Sequence, residues 1–215
     1  AFFAQNHNKL HIAVDLHSDE GRQIIRKLAA RSDIFIENYR PGTTERKWQL
    51  GYRQLREINP SIIYVSNTGY GQWGPYASRP SYDALAQAVS GMSLTTGFEG
   101  RPPAKVGIYL GDYFGACLSA VAVLAALYWR NKTGKGQYIE HSQCEALIRA
   151  MEWTWVYIGL TGKKRRRMGN TDPIITFSDL FECSDGYVII EADTEDEIIA
   201  LLKATKSEQL YRDVW

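Results

Sequence analysis

The sequence predicts an α/β fold in which helices pack on a parallel sheet. Three observations carry that expectation. Branched runs of strand length alternate with amphipathic runs of helical period. Glycine-rich loops follow the strand runs, at the carboxyl ends where open parallel sheets gather their ligands. Composition is ordinary for a globular chain, with 45% hydrophobic and 23% charged residues in 215, enough length to bury a real core.

Each element has a local justification. KLHIAVDL (Lys9–Leu16) alternates and is rich in branched residues, so it reads as a strand. SDEGRQIIRKLAARS follows as a helix, with Ser18 as N-cap and Ile24, Ile25 and Leu28 at helical spacing. DIFIENY (Asp33–Tyr39) is the next strand, broken by Arg40-Pro41-Gly42. A short helix over Tyr52–Glu57, a turn at Asn59-Pro60 and the strand SIIYVSNTG (Ser61–Gly69) complete the alternating region. YDALAQAVSGMSLTTG begins a small-residue helix ending near Gly91; an apolar run at Val106–Leu110 precedes a long helix. TGKGQYIEHS gives a turn and a strand, and QCEALIRAMEWTWVYIG an aromatic-rich helix in which Trp153 and Trp155 serve core or interface. LFECSDGYVIIEAD reads as a hairpin about Asp185-Gly186, and TEDEIIALLKATK as a capped helix. A linker is placed near Gly162–Thr176. The chain opens on AFFAQ without methionine and stops in SEQLYRDVW within a helical pattern, so a longer protein is expected.

Bulk properties narrow the function. A net charge of +1 gives no reason to expect nucleic acid or an anionic membrane as partner. Three widely spaced cysteines (Cys117, Cys144, Cys183) without a CxxC pair argue against a disulfide scaffold and fit a reducing cytoplasm. The apolar stretch Ala116–Trp129 falls short of the ~20 residues a bilayer span needs. Four scattered histidines without ligand spacing predict no metal site. Neither a GxSxG elbow nor a nucleotide fingerprint is present.

One carboxylate stands out. From Val106 to Trp129 the only charge is Asp112, between Gly111 and Gly115. It reads either as a helix N-cap or as a carboxylate held for nucleophilic attack on an activated acyl group. A helix N-terminus favours the anion, and the glycines leave room for a reactant. GYGQWGP (Gly69–Pro75) reads as a backbone cradle or a plain loop, and KKRRR (Lys163–Arg167) as a solvated loop or a phosphate site.

Taken in order, NKLHIAVDL, EGRQIIRKLAARSDIFIENYRPGT, LREINPSIIYVSNTGYGQWGPY, YDALAQAVSGMSLTTG, RPPAKVGIYLGDYFGA and ALYWRNKTGKGQYIEHSQCEA resemble the family III CoA-transferases, over about Asn8 to Asp193. The resemblance implies a Rossmann-like large domain with helices on both sheet faces, covering residues 1–162, then a linker and the start of a smaller α+β domain over 163–215. It also implies a cytoplasmic homodimer of interlocked rings. Coenzyme A is then a co-substrate rather than a tightly bound cofactor, and the partners are an acyl-CoA and a small carboxylic acid. Asp112 falls on the family nucleophile, which would pass CoA through a mixed anhydride and an aspartyl-CoA thioester.

The same resemblance places Asn38 and Tyr39 against CoA, Arg46 or Lys47 near its phosphates, and Tyr82 beside the adenosine–pantetheine path. Asp83 takes a neighbouring acidic position, and Arg79 substitutes for a family lysine that is Pro80 here. The related α-methylacyl-CoA racemases carry a histidine where this chain has Tyr82, so transfer is favoured over racemisation. The competing readings are a racemase and a CoA-binding fragment without activity. GNTDPIITFSD replaces the glycine run of the formyl-CoA transferases, which argues against oxalate and formate as the substrate pair.

Overall fold

The computed structural model describes residues 2–172, 174–175 and 177–210. Its chain separates into two compact units, Ala1–Ala86 with Tyr109–Ala150, and Gln87–Ile108 with Met151–Trp215. In chain order the elements begin α1 (Phe2–Asn6), α2 (Asp19–Ala29), β1 (Ile34–Glu37), a π turn (Thr43–Lys47), α3 (Tyr52–Ile58) and β2 (Ile63–Thr68). Then come α4 (Asp83–Val89), α5 (Met92–Thr95), α6 (Leu110–Thr133), β3 (Tyr138–Ser142), α7 (Gln143–Ala150) and α8 (Thr154–Thr161). The chain closes with β4 (Phe177–Cys183), β5 (Gly186–Ala192), α9 (Glu195–Ala204) and a 3-10 turn at Glu208–Leu210. The predicted helical ending at 211–215 lies outside the described residues.

The first unit carries the predicted parallel sheet, in the order β1-β2-β3. Ile34 pairs with Ile63, and Tyr64 with Tyr138. The central strand β2 is a nearly continuous buried run, as a strand covered on both faces must be. Ala29, Trp48, Leu50, Leu55, Ile62 and Tyr64 form one core cluster, against which Ile25, Phe35 and Tyr52 pack. Helix α2 starts where predicted: the Ser18 hydroxyl accepts from the Gly21 N–H, and Asp19 and Glu20 sit at the positive end of the helix.

The second unit contains the predicted hairpin, β4 antiparallel to β5 with Cys183 opposite Gly186. Ile198 and Leu202 of α9 bury against Ala192. A capping box starts α9: Thr194 accepts from the Glu197 N–H while the Glu197 carboxylate accepts from the Thr194 N–H.

Two expectations fail for physical reasons. Lys9–Leu16 is not a strand, because a strand exists only through a ladder and no described strand pairs with it. The apolar run ahead of α6 is held by the Gln87 side chain, which accepts from Val106 N at 2.8 Å and donates to the Ile108 carbonyl at 3.2 Å. The aromatic-rich helix is two helices, broken where Glu152 adopts φ 45. Helix α6 is 24 residues, long and apolar enough by length and composition to cross a membrane, a test that core helices of soluble proteins also pass. The stretch Ala116–Trp129 is only its apolar middle.

Candidate active site at the start of the long helix

The carboxyl ends of the strands, the first turn of α6 and the first turn of α7 meet in the first unit. Asp112 is not the N-cap of α6. That position is Tyr109, which makes no side-chain cap bond, and Asp112 lies three residues further in. The capping duty belongs to Asp83, a buried carboxylate on α4 whose Oδ1 accepts from the Gly111 N–H at 2.7 Å. A buried first-turn donor is thereby satisfied from another element. Asp112 is released from capping, and its Oδ1 accepts instead from the Gln143 carboxamide.

The electrostatics of Asp112 are opposed. Partial burial raises its pKa above the ordinary carboxylate value, the Asp83 charge raises it further, and the Gln143 hydrogen bond pulls it back. The result is a carboxylate more basic than usual and held in one orientation.

Two glycines make the close approach possible. A Cβ on Gly111 would meet Asp83 Oδ1 at 3.1 Å and Leu147 Cδ1 at 3.2 Å; one on Gly115 would meet His141 Nε2 at 2.5 Å. Helix α6 therefore lies directly against the end of β3. Burial pushes the His141 pKa down, and its Nε2 has no hydrogen-bond partner among the described residues. The ring is held neutral.

A second group of predicted residues gathers at the end of β1. A cavity of about 310 Å³ is lined there by Arg46, with Glu37, Tyr64, Ser66, Gln72 and Tyr138 among its walls. Arg46 donates to the Pro41 carbonyl at 3.1 Å, and its guanidinium lies where a side chain on Gly42 (φ 76) would stand. The Tyr39 ring meets Trp48 edge-on at 4.6 Å, and the Tyr39 N–H donates to Glu37 at 2.8 Å. Asn38 is exposed beside them. Glu37 also accepts from the Ser66 hydroxyl, which accepts from Gln72 in turn. Burial raises the Glu37 pKa against both hydrogen bonds.

The predicted residues thus fall into two groups. Asn38, Tyr39 and Arg46 share the β1 end. Tyr82 belongs with Asp112, since it immediately precedes the Asp83 that caps α6, and it is 80% exposed. Two others join neither group. The Arg79 guanidinium lies over the Tyr76 ring at 4.2 Å, and Lys47 is exposed with no ion pair among the described residues. Gln143 escaped the sequence reading. Its signal was its place as the first residue of a helix directly following a strand of a parallel sheet.

The basic run lies in the second unit and is not a free loop. Arg165 stacks over Trp153 at 4.3 Å and donates to the Thr154 hydroxyl at 2.8 Å. Arg166 pairs with Glu99 at 3.3 Å, and Arg167 donates to the Leu94 and Phe98 carbonyls. Its three arginines act as ties between segments of that unit.

Comparison with known proteins follows the same lines. The model of "CoA-transferase family III" matches residues 1–215. Succinyl-CoA–D-citramalate CoA-transferase of Chloroflexus aurantiacus is 34% identical over 96% of this chain and 51% of its own length. Succinyl-CoA:mesaconate CoA-transferase of Haloarcula hispanica is 36% identical over 99% of this chain and 54% of its own. A crystal structure of a CAIB/BAIF family protein from Brucella suis superposes with a TM-score of 0.82 at 35% identity, covering 96% of this chain and 54% of that one. The chain spans about half the length of the curated relatives it matches. With the parallel sheet and these matches together, the chain belongs to CoA-transferase family III.

Proposed function

We propose that the complete protein moves CoA from an acyl-CoA to a small carboxylic acid, with Asp112 as covalent carrier. The observation that carries this reading is the release of Asp112 from capping. Asp83 takes over the structural duty, leaving an oriented, unusually basic carboxylate at the start of the long helix. Both relatives described above are named for succinyl-CoA with a dicarboxylic acid, so succinyl-CoA and a short dicarboxylic acid are the first pair to test.

The chemistry balances without a net proton. The Asp112 carboxylate attacks the thioester carbonyl, the C–S bond breaks, and CoA leaves as thiolate from a mixed anhydride. The thiolate then attacks Cγ of Asp112, freeing the donor acid and leaving an aspartyl-CoA thioester. The acceptor carboxylate attacks that thioester, and the thiolate released takes the acceptor acyl group. Asp112 is restored. Each intermediate retains its activation only if water is excluded.

In this reading Asn38, Tyr39 and Arg46 receive CoA at the β1 end, with Lys47, Arg79 and Tyr82 in supporting contacts, and CoA enters as co-substrate. Residues 1–162 belong to a large domain and 163–215 lead into a small one. The working form is an interlocked homodimer in the cytoplasm. Racemisation is disfavoured by Tyr82, because a phenol is a poorer proton shuttle than the histidine that the related racemases carry there.

The test is Asp112→Asn in the complete protein. Transfer should fall by several orders of magnitude with unchanged circular dichroism. Intact-mass analysis of wild type with succinyl-CoA should show a CoA adduct on Asp112 that the variant lacks. Transfer within tenfold of wild type would overturn the reading.

A further inference from the structure

We infer that Gln143 divides the labour between the two oxygens of Asp112: its carboxamide fixes Oδ1 as the oxygen that stays carbonyl, leaving Oδ2 as the atom that attacks. The inference deepens the proposed function and rests on Asp112 being the carrier.

The geometry starts from the backbone. Gln143 is the first residue of α7 and follows β3 without a loop. Its neighbours lock that junction to the end of β2. The Cys144 N–H donates to the Gly69 carbonyl at 3.0 Å, and the Ser142 hydroxyl donates to the same carbonyl at 3.4 Å. Ser142 also accepts from the Glu145 N–H at 3.3 Å, capping α7. On the other side, Asp83 holds the first turn of α6 through the Gly111 N–H. Donor and acceptor therefore stand on two helix starts, each tied to other elements, and the Gln143 Nε2 donates to Asp112 Oδ1.

A carboxylate free to rotate offers either oxygen to a thioester. One that holds a hydrogen bond on Oδ1 offers Oδ2, because attack through Oδ1 would forfeit that bond. Once the anhydride forms, Oδ2 is the bridging atom and Oδ1 the carbonyl oxygen. When the thiolate attacks Cγ, and again when the acceptor carboxylate does, negative charge develops on Oδ1. The Gln143 N–H already points at that atom, so it serves as an oxyanion donor in both steps without reorganising. The amide carries no charge, so it stabilises that oxyanion without becoming an ion partner that the resting carboxylate would hold tightly.

The experiment compares Gln143→Leu with wild type in the complete protein, with Gln143→Glu as a second variant of unchanged shape. Removing one oxyanion donor should lower kcat by about 10²- to 10³-fold, with the KM for acyl-CoA changed by less than about threefold, since binding is not its task. The rate of CoA-adduct formation on Asp112 should fall in parallel. The acid limb of the rate profile should move to higher pH in Gln143→Leu, because the bond that lowers the Asp112 pKa is gone while Asp83 still raises it. Gln143→Glu replaces the donor with an acceptor and should lose at least as much. Turnover within about threefold of wild type in both variants, or a fall in turnover with an unmoved acid limb, would overturn the inference. Asp112→Asn run beside them separates the two ideas. If that variant is dead while both Gln143 variants work, only the division of labour fails; if it transfers CoA, the carrier assignment fails.

Discussion

Asp83 and Asp112 are two carboxylates on neighbouring turns with different work, and the difference is measurable. Asp83→Asn keeps an oxygen to accept from the Gly111 N–H but removes the charge that raises the Asp112 pKa. The acid limb of turnover should therefore move to lower pH, opposite to the shift expected for Gln143→Leu. An unmoved or raised limb would show that Asp83 does not act on Asp112 through charge. His141 supplies a separate pH signal, in stability. Its folded pKa is depressed by burial, so the unfolded chain takes up a proton near pH ~6.5 while the fold refuses it. Stability should be full above that pH and decline as pH falls toward the lowered folded value. Melting temperatures of wild type and His141→Gln between pH 7.5 and 5 (about the window for this group) test this; equal slopes would remove His141 as the cause.

Elements set by local chemistry were legible in the sequence, and those set by distant partners were not. Helices α2 and α9 carry their start signals within four residues, and the hairpin carries its turn. The contribution of the α9 cap is open to direct measurement: Thr194→Ala should cost about 1 kcal/mol, read as a lowered urea midpoint with an unchanged slope. No loss would mean that the capping box contributes nothing net. Lys9–Leu16 looks like a strand because alternation describes a face, whereas pairing needs a neighbour that periodicity does not report. The break at Glu152 has no glycine or proline to announce it. The cap of α6 shows the same limit at the site. Asp112 stands out in the sequence as a lone carboxylate, but the Asp83 that caps the Gly111 N–H lies 28 positions from that glycine, a relation spacing cannot show. Gln143 was missed because a lone glutamine opening a helix carries no motif.

Large apolar side chains are exposed in both units among the described residues. Helix α6 exposes Val121, Leu124, Tyr128 and Trp129, and the hairpin exposes Tyr187 and Ile189. Exposed apolar side chains of this kind drive association in water. The 215-residue chain by itself should bind a dye such as ANS and gain apparent mass with concentration in light scattering. A monomer without dye binding at all concentrations would show that these side chains are covered in solution. Another whole-molecule effect comes from Gly111 and Gly115, where α6 rests against its neighbours with nothing between. In a saturation-mutagenesis map of the complete protein scored by growth on the acceptor acid, these positions should darken almost as deeply as Asp112, though neither has a side chain to offer a substrate. Alanine at Gly115, the mildest change there is, would set a methyl group against His141 and lift the first turns of the helix, taking the carboxylate with them. The reach of the Asp112 carboxylate is thus encoded partly in two atoms that are not there, and a genetic screen would read their absence as function.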